Sequence, residues 1–336
     1  MTPRRCVVVV GAGIAGLTAA RNLFPSFEVV VVDKGRGVGG RLATRRIGDA
    51  TFDHGAQFIT THTTEFAEIV AGWEQAGVAR PWFRGQIGPN GVMDPDGHTR
   101  FRGVASMNAV AKHLAEGLDV RVSTQVAALE PSGTGWRIRF DDETHLVADA
   151  VVLTAPVPQS LALLAAGLVP MSAADTQALQ AIRYEPCLAV LAALEDASGL
   201  DEPGAVHPSV GPIDWMADNR LKGVSTVPAI TLHATAEFSR THWESSDEIV
   251  IAELLGSAGL SARPLPGQVQ VQRWKFARPT TIHPERCLVA GGVAPLVFAG
   301  DAFGGAKVEG AALSGVAAAT AVASLLCHPD APKAGR

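Results

Sequence analysis

Two short runs near the start of the chain, Cys6–Val10 and Glu28–Val32, are nearly unbroken valine. Continuous β-branched runs of that length predict parallel strands buried on both faces. Between them Gly11–Gly16 predicts a turn and Leu17–Leu23 a helix, so the chain opens as strand, glycine turn, helix, strand. From about Ala105 to Pro156 the pattern predicts a helix and then short strands at Val120–Ser123, Val126–Glu130 and Trp136–Phe140. The apolar strand Ala150–Leu153 and the breaker Ala155-Pro156 close that stretch. Near the end, Leu296–Phe298 predicts a strand running into Gly300-Asp301, and Glu309–Leu325 an alanine-rich helix. The stretches Ile59–Phe101 and Gln159–Trp274 have another texture, holding every tryptophan but Trp136 and the single tyrosine, Tyr184. The expected fold class is α/β, with 1–58, 102–158 and 277–328 forming one discontinuous domain. Into it 59–101 and 159–276 insert a mixed α+β domain.

Composition narrows the function classes. At 336 residues the chain is long for one hydrophobic core, which supports two domains. A hydrophobic fraction of 47% with 18% charged residues describes a globular protein rather than a disordered one. The formal net charge of −5 argues against nucleic acid as partner, because phosphate neutralisation needs clustered Lys and Arg. Cys6, Cys187, Cys287 and Cys327 are scattered without a CxxC pair, so neither a disulfide framework nor a metal site is expected, and a cytoplasmic location suits them. The N-terminal apolar run is too short for a signal segment, and Ala311–Leu326, interrupted by Gly315, is read as amphipathic rather than membrane-spanning. No membrane partner is therefore expected.

Three motifs carry chemistry. In Gly11-Ala12-Gly13-Ile14-Ala15-Gly16 the first glycine permits a tight turn, the second lets backbone approach a pyrophosphate, and the third lets helix pack on strand. The helix N-terminus then presents free N–H groups to the anion. Asp33, ending the next strand, is placed for a ribose diol, which makes this a Rossmann-type dinucleotide unit rather than a packing turn. Directly after it comes Lys34-Gly35-Arg36-Gly37-Val38-Gly39-Gly40-Arg41. A second glycine-and-arginine loop suits a flavin dinucleotide, whose pyrophosphate and ribityl chain need additional donors; a solvated basic turn is the alternative. The third motif is Phe298-Ala299-Gly300-Asp301, followed by Gly304-Gly305 and Val308-Glu309-Gly310-Ala311. A carboxylate at a strand end accepts from a ribityl hydroxyl, and the next helix N-terminus favours the negative charge of reduced flavin.

Gly35-Arg36 with Gly39-Gly40-Arg41 resembles the second FAD signature of the amine-oxidase-like flavoproteins, and the third motif looks like their C-terminal flavin motif. Asp53-His54-Gly55-Ala56-Gln57-Phe58, Asp214-Trp215, Asp218-Asn219-Arg220, Leu232-His233-Ala234-Thr235 and Arg273-Trp274-Lys275-Phe276-Ala277-Arg278-Pro279 resemble, within that superfamily, the bacterial renalase-like proteins. The resemblance implies non-covalent FAD held by Gly11, Gly13, Ile14, Ala15, Gly16, Asp33, Lys34, Arg36, Gly40, Arg41, Gln57, Phe58, Val126, Gly300, Asp301, Glu309, Gly310 and Ala311. It implies a dihydronicotinamide dinucleotide, the 2- or 6-dihydro isomer of NAD(P)H, as hydride donor, with O2 as acceptor and H2O2 as product. A monomer or weak dimer is expected. Lys307, within the third motif, has no assigned role.

His233, Trp274 and Gln57 are the candidate catalytic residues. His233 lies on an alternating strand, Ile230–Thr235, and the resemblance places it in the pocket. Trp274 offers a planar wall for a nicotinamide, with simple core packing as the alternative. Gln57 and Phe58 follow the FAD contacts closely enough to lie under the flavin, although ordinary packing explains Phe58 equally well. His54 reads as structural. Trp215, Asn219 and Arg220 either meet the dinucleotide's polar parts or form a surface loop. No Ser-His-Asp, HExxH or paired-carboxylate arrangement is present, which suits hydride transfer from a dihydropyridine that needs no general base. The rival readings are an amine oxidase, disfavoured because one tyrosine cannot make a two-tyrosine cage, an NAD(P)H-dependent flavoprotein monooxygenase, and a non-catalytic FAD-binding redox sensor.

Overall fold

The computed structural model describes residues 4–88, 92–292 and 294–327. Two compact units emerge: 1–40 with 111–183 and 279–336, and 41–110 with 184–278.

The first unit is built on a six-stranded sheet in the order Leu288–Val289, Leu296–Phe298, Ala150–Leu153, Cys6–Val10, Glu28–Val32, Asp119–Arg121. All neighbours are parallel except the first pair. The valine runs are buried on both faces, as their unbroken apolar pattern requires. After Cys6–Val10 the chain moves one way, through the helix Ile14–Leu23 to Glu28–Val32, while Ala150–Leu153 lies on the other side. The C-terminal end of Cys6–Val10 is thus the switch point, where open parallel sheets gather their ligands. Three antiparallel strands, Val126–Ser132, Gly135–Phe140 and His145–Ala148, form a second sheet.

The last helix, Lys307–Cys327, packs on Ile14–Leu23 through Gly315, where a Cβ would stand 2.3 Å from the Ala15 carbonyl oxygen. It is long and apolar enough to cross a membrane, which corrects the reading of this stretch as amphipathic. Half of its most apolar window is buried inside the protein, because its alanine and leucine face covers the first helix and the sheet.

The second unit centres on a five-stranded sheet in the order Ala205–Val206, Ile213–Asp218, Ala229–Ala234, Arg183–Leu194, Pro264–Thr281. Strand periodicity divides its residues cleanly. Leu188, Val190, Ala192, Ile230 and Leu232 face the helix Asp247–Ser257 through Val250 and Leu254. Leu191, Ala193 and Ala229 face the opposite way, onto the hairpin Thr44–Ile47 and Ala50–Asp53 through Ile47 and Phe52. Thr231 and His233 alternate with the first set and so share the hairpin side, with Trp215 paired across from His233. A smaller sheet of Ile59–Thr60, Met93–Gly103 and Ala79–Ile87 completes the unit.

These bounds differ from the expected ones at 41–58 and 159–183, and also at 102–110 and 277–278, which fall in the second unit. Residues 41–58 belong to the second unit because Phe52, fully buried, anchors their hairpin to its sheet. Residues 159–183 stay with the first, since the helix Val157–Ala166 packs on Val126–Ser132 so closely that a Cβ at Gly167 would stand 1.6 Å from the Leu129 carbonyl oxygen.

Candidate functional site

Each unit carries a cluster of polar groups among the residues the motifs single out. In the first, the glycine loop separates three physical roles. Gly11 has a φ of +112° and turns the chain beneath Thr154, whose Oγ1 donates to the Val10 and Gly11 carbonyls. A Cβ at Gly16 would stand 1.9 Å from the Gly11 oxygen, so glycine here is a packing necessity. Gly13 is different: φ is −80°, and a Cβ would meet nothing within 4 Å. Neither conformation nor packing demands glycine there, which leaves room for a ligand. Gly13 also caps the helix Ile14–Leu23 without a side-chain hydrogen bond, and the first turn contains no acidic residue. The N–H groups of Ile14, Ala15 and Gly16 are therefore a positive end with no internal counter-charge.

The second glycine loop lies against the first. Gly39 N donates to the Ala12 carbonyl at 2.8 Å, and a Cβ on Gly40, whose φ is +52°, would stand 3.3 Å from Gly13 Cα. Asp33 is aligned by two backbone donors, Ala12 N at 2.7 Å and Gly35 N at 2.6 Å, one on each carboxylate oxygen. A second lone pair on each oxygen stays available to a diol. Arg36 is exposed, and Lys34 Nζ donates to Gln159 Oε1 at 3.2 Å. Val126 is buried at the start of its strand. In the third motif Gly300 has a φ of +138°, Asp301 is buried, and a Cβ at Gly310 would stand 1.8 Å from the Gly305 oxygen. Ala311 is buried and Glu309 half-buried in the same helix turn. Lys307 begins that helix at a φ of +70°, a left-handed conformation that a lysine adopts only under constraint.

The second unit's cluster grows from Asp53, fully buried at the end of its strand. Its Oδ1 accepts from Thr44 Oγ1 at 2.7 Å and Met107 N at 3.0 Å, and the Lys222 ammonium, also fully buried, stands 2.9 Å from Oδ2. Burial drives the Lys222 pKa down, against the opposing pull of Asp53. Lys222 donates in turn to Gln57 Oε1 at 3.3 Å and sits 5.0 Å over the Trp82 ring. Gln57 Nε2 donates to the Asp53 and Gly55 carbonyls at 2.8 and 3.1 Å. Both amide hydrogens of Gln57 are thus used in closing the His54–Ala56 turn, and its Oε1 accepts from Lys222.

That turn presents the His54 carbonyl, which accepts from Trp274 Nε1 at 2.9 Å and from His233 Nε2 at 3.2 Å. A carbonyl can only accept, so His233 carries its proton on Nε2 and its Nδ1 is a lone pair. The His54 ring stacks on Trp274 at 5.4 Å and 18°. Its buried Nδ1 has no partner, nor has the buried Nε1 of Trp215. Burial lowers the pKa of His54 to about 4, with Arg45 and His233 adding to the effect. His233 falls to about 4 for the same first reason. Phe58 packs with Trp215 at 5.3 Å and Phe83 at 6.2 Å.

Other expected residues take other places. Asn219 is fully buried, bonded to Asp53 N and Thr231 Oγ1, so it braces the cluster and is not on a surface loop. Arg220 is exposed. The Arg41 guanidinium donates to the Phe276 and Ala277 carbonyls at 3.2 and 3.3 Å. Lys222 and Thr231 escaped the sequence reading. A lysine in a polar turn carries no mark of burial, and Thr231 was visible only as one position of an alternating strand.

With this geometry in view, comparison with known proteins gives the family. The model described as flavin containing amine oxidoreductase matches residues 84–323. The chain belongs to that family. A second model, the NAD(P)-binding Rossmann-like domain, matches residues 9–72. Renalase of Mus musculus is 24% identical over 324 residues, covering 85% of this chain and 92% of the mouse protein. Putrescine oxidase of Kocuria rosea is 38% identical over 104 residues, 31% of this chain and 21% of its own. Among solved structures, a putative protoporphyrinogen oxidase from Exiguobacterium sp. 255-15 superimposes with a TM-score of 0.69 at 14% identity, covering 96% of this chain and 99% of that one. A putrescine oxidase with redesigned cofactor binding gives 0.71 at 16%, again over 96% and 99%. At these identities the structural likeness shows the fold: a Rossmann-like domain and an antiparallel-sheet domain. The flavoprotein is distantly renalase-like.

The two histidines make the second unit acid-sensitive. Their folded pKa values lie below the unfolded value of about 6.5, so the unfolded chain binds more protons between about pH 6.5 and 4. Stability is full above that window and is lost as pH falls through it. The urea midpoint, followed by tryptophan fluorescence, is expected to be lower at about pH 5 than at about pH 7, with the difference reduced in His233→Asn. Equal midpoints in the native protein would contradict the assignment.

Proposed function

We propose that this flavoprotein is an FAD-dependent oxidase of renalase type, taking hydride from the 2- or 6-dihydro isomers of NAD(P)H. In the net reaction the dihydronicotinamide, one proton and O2 give NAD(P)+ and H2O2. The observation that carries the reading is the stack of His54 on Trp274 beside a neutral His233. This is an aromatic surface with a fixed acceptor lone pair, in surroundings that drive protons off both imidazoles. A neutral, planar dihydropyridine carboxamide suits such a surface, with one of its N–H groups accepted by His233 Nδ1. No base is required, because the hydrogen leaves its carbon together with the bonding electron pair, as hydride.

FAD, held non-covalently, supplies the hydride-accepting and O2-reducing chemistry. The residues of the first unit fit it. The space over Gly13 and the uncapped first turn at Ile14, Ala15 and Gly16 suit a pyrophosphate, and the aligned Asp33 carboxylate suits a ribose. Gly40 lies beside the first loop, and Lys34 and Arg36, which follow Asp33, would add donors. Gly300, Asp301 and the helix turn Glu309–Ala311 would serve the ribityl chain and ring edge, and the buried Val126 would add an apolar contact.

Amine oxidation is the second reading, favoured by the family and by the putrescine oxidase likeness. An ammonium substrate, however, would meet the same desolvation that lowers both histidines and Lys222.

Two outcomes are expected. Gly13→Val leaves the apoprotein's unfolding transition in place, since the side chain enters open space, while flavin content after purification collapses; retention of full flavin would remove this loop from the cofactor site. Peroxide production is expected with 6-dihydro-NADPH and not with putrescine, and His233→Ala is expected to slow it by about tenfold or more without loss of flavin. Peroxide from the amine alone would assign the flavoprotein to amine oxidation.

A further inference from the structure

The small sheet of the second unit places two arginines where sheet energetics disfavours them. Arg80 and Arg102 are directly opposite each other in the antiparallel pair Ala79–Ile87 and Met93–Gly103. Like charges facing across a ladder repel. Both guanidinium groups turn to the same point: Arg102 Nη2 lies 2.6 Å and Arg80 Nη2 3.2 Å from where a Cβ on Gly223 would stand. Gly223 has a φ of +74°, so that backbone surface is bare by conformation as well as by composition. Arg102 is 4% exposed, whereas Arg80 is exposed, so the pair runs from the interior to the surface.

What is missing is the counter-charge. Among the described residues neither arginine has a carboxylate partner; Arg102 Nη1 donates only to the Gly103 and Val104 carbonyls, at 2.9 Å each. The adjacent Lys222 does not relieve them, being a third cation whose charge is already matched to Asp53 at 2.9 Å. The neighbouring Arg100 shows the contrast. On the same face of the same strand, it is neutralised by both oxygens of Asp96, each at 2.6 Å.

We propose that Arg80 and Arg102, over Gly223, form a binding site for a phosphate-type oxyanion. Two guanidinium groups converging on one point match the several oxygens and multiple charge of a phosphate better than a single carboxylate. Resting on the functional reading above, the site takes a phosphate group of the dinucleotide substrate; free inorganic phosphate has the same chemistry.

The test is calorimetric titration of the FAD-loaded protein with inorganic pyrophosphate at low salt, where exchange into the flavin's own site is blocked. Saturable binding is expected, weakened by added NaCl and at least about tenfold weaker in Arg80→Gln. Because Arg80 is exposed, this variant is expected to keep the native near-UV circular dichroism. Arg102→Lys gives a second, charge-conserving probe, expected to bind more weakly because the fork geometry is lost. No binding, or equal binding in the native protein and Arg80→Gln, overturns the site. Given binding, a raised KM for dihydro-NADP in Arg80→Gln at unchanged kcat identifies the substrate's phosphate as the occupant, whereas an unchanged KM identifies free phosphate. Failure of the dihydro substrates to reduce the flavin would count against the functional reading alone, since the pyrophosphate titration does not involve them.

Discussion

The carboxylate of Asp53, buried without access to water, is the constraint around which the second unit is arranged. An isolated buried charge is costly, and this one is offset by an equally buried ammonium and by donors from a threonine and a backbone amide. Each partner then does further work. Lys222 orients the Gln57 amide, Gln57 closes the turn after Asp53, and the turn sets the His54 carbonyl that receives both Trp274 and His233. The aromatic surface thus inherits its geometry from the ion pair through this chain of hydrogen bonds. A bonded cluster of this kind suits a reaction whose demand is position, because every rotamer on the path from Asp53 to His233 is held by a partner.

The first unit solves a different problem with almost no side chains. Close approach is made possible at Gly16 and Gly310, where any Cβ would collide with a carbonyl, and the loops that result leave backbone N–H groups pointing outward. Gly13 stands apart, since its missing side chain is explained by nothing inside the protein. The proposed cofactor site thus rests on what is absent from the chain, and the proposed substrate surface on what is packed into it.

This division explains how much was legible beforehand. Strand and glycine signals are local, so Cys6–Val10, Glu28–Val32, Ala150–Leu153 and Leu296–Phe298 are observed at the bounds their sequences predict. The roles of Gly11 and Gly16 could likewise be read from spacing. The second unit depends on partners far apart in the chain: Asp53 with Lys222, His54 with Trp274, Arg80 with Gly223. No periodicity encodes such pairs. Lys222 looked like any lysine of a polar turn, and the hydrogen bonds of Gln57, expected under the flavin, to its own backbone carry no sequence signal. The last helix misled for a related reason: alanine-rich and apolar on most sides, it is distinguished from a membrane span only by the helix it packs against.

The central claim is that a neutral dihydropyridine with displaced hydride, not an amine and not ordinary NADPH, is the electron donor. Anaerobic rapid mixing of the FAD-loaded protein with 6-dihydro-NADPH, 4-dihydro-NADPH and putrescine in turn, with flavin bleaching followed optically, measures this directly. The account predicts rapid bleaching by the 6-dihydro isomer, slow bleaching by the 4-dihydro form and none by the amine. Fastest bleaching by ordinary NADPH or by putrescine would contradict it.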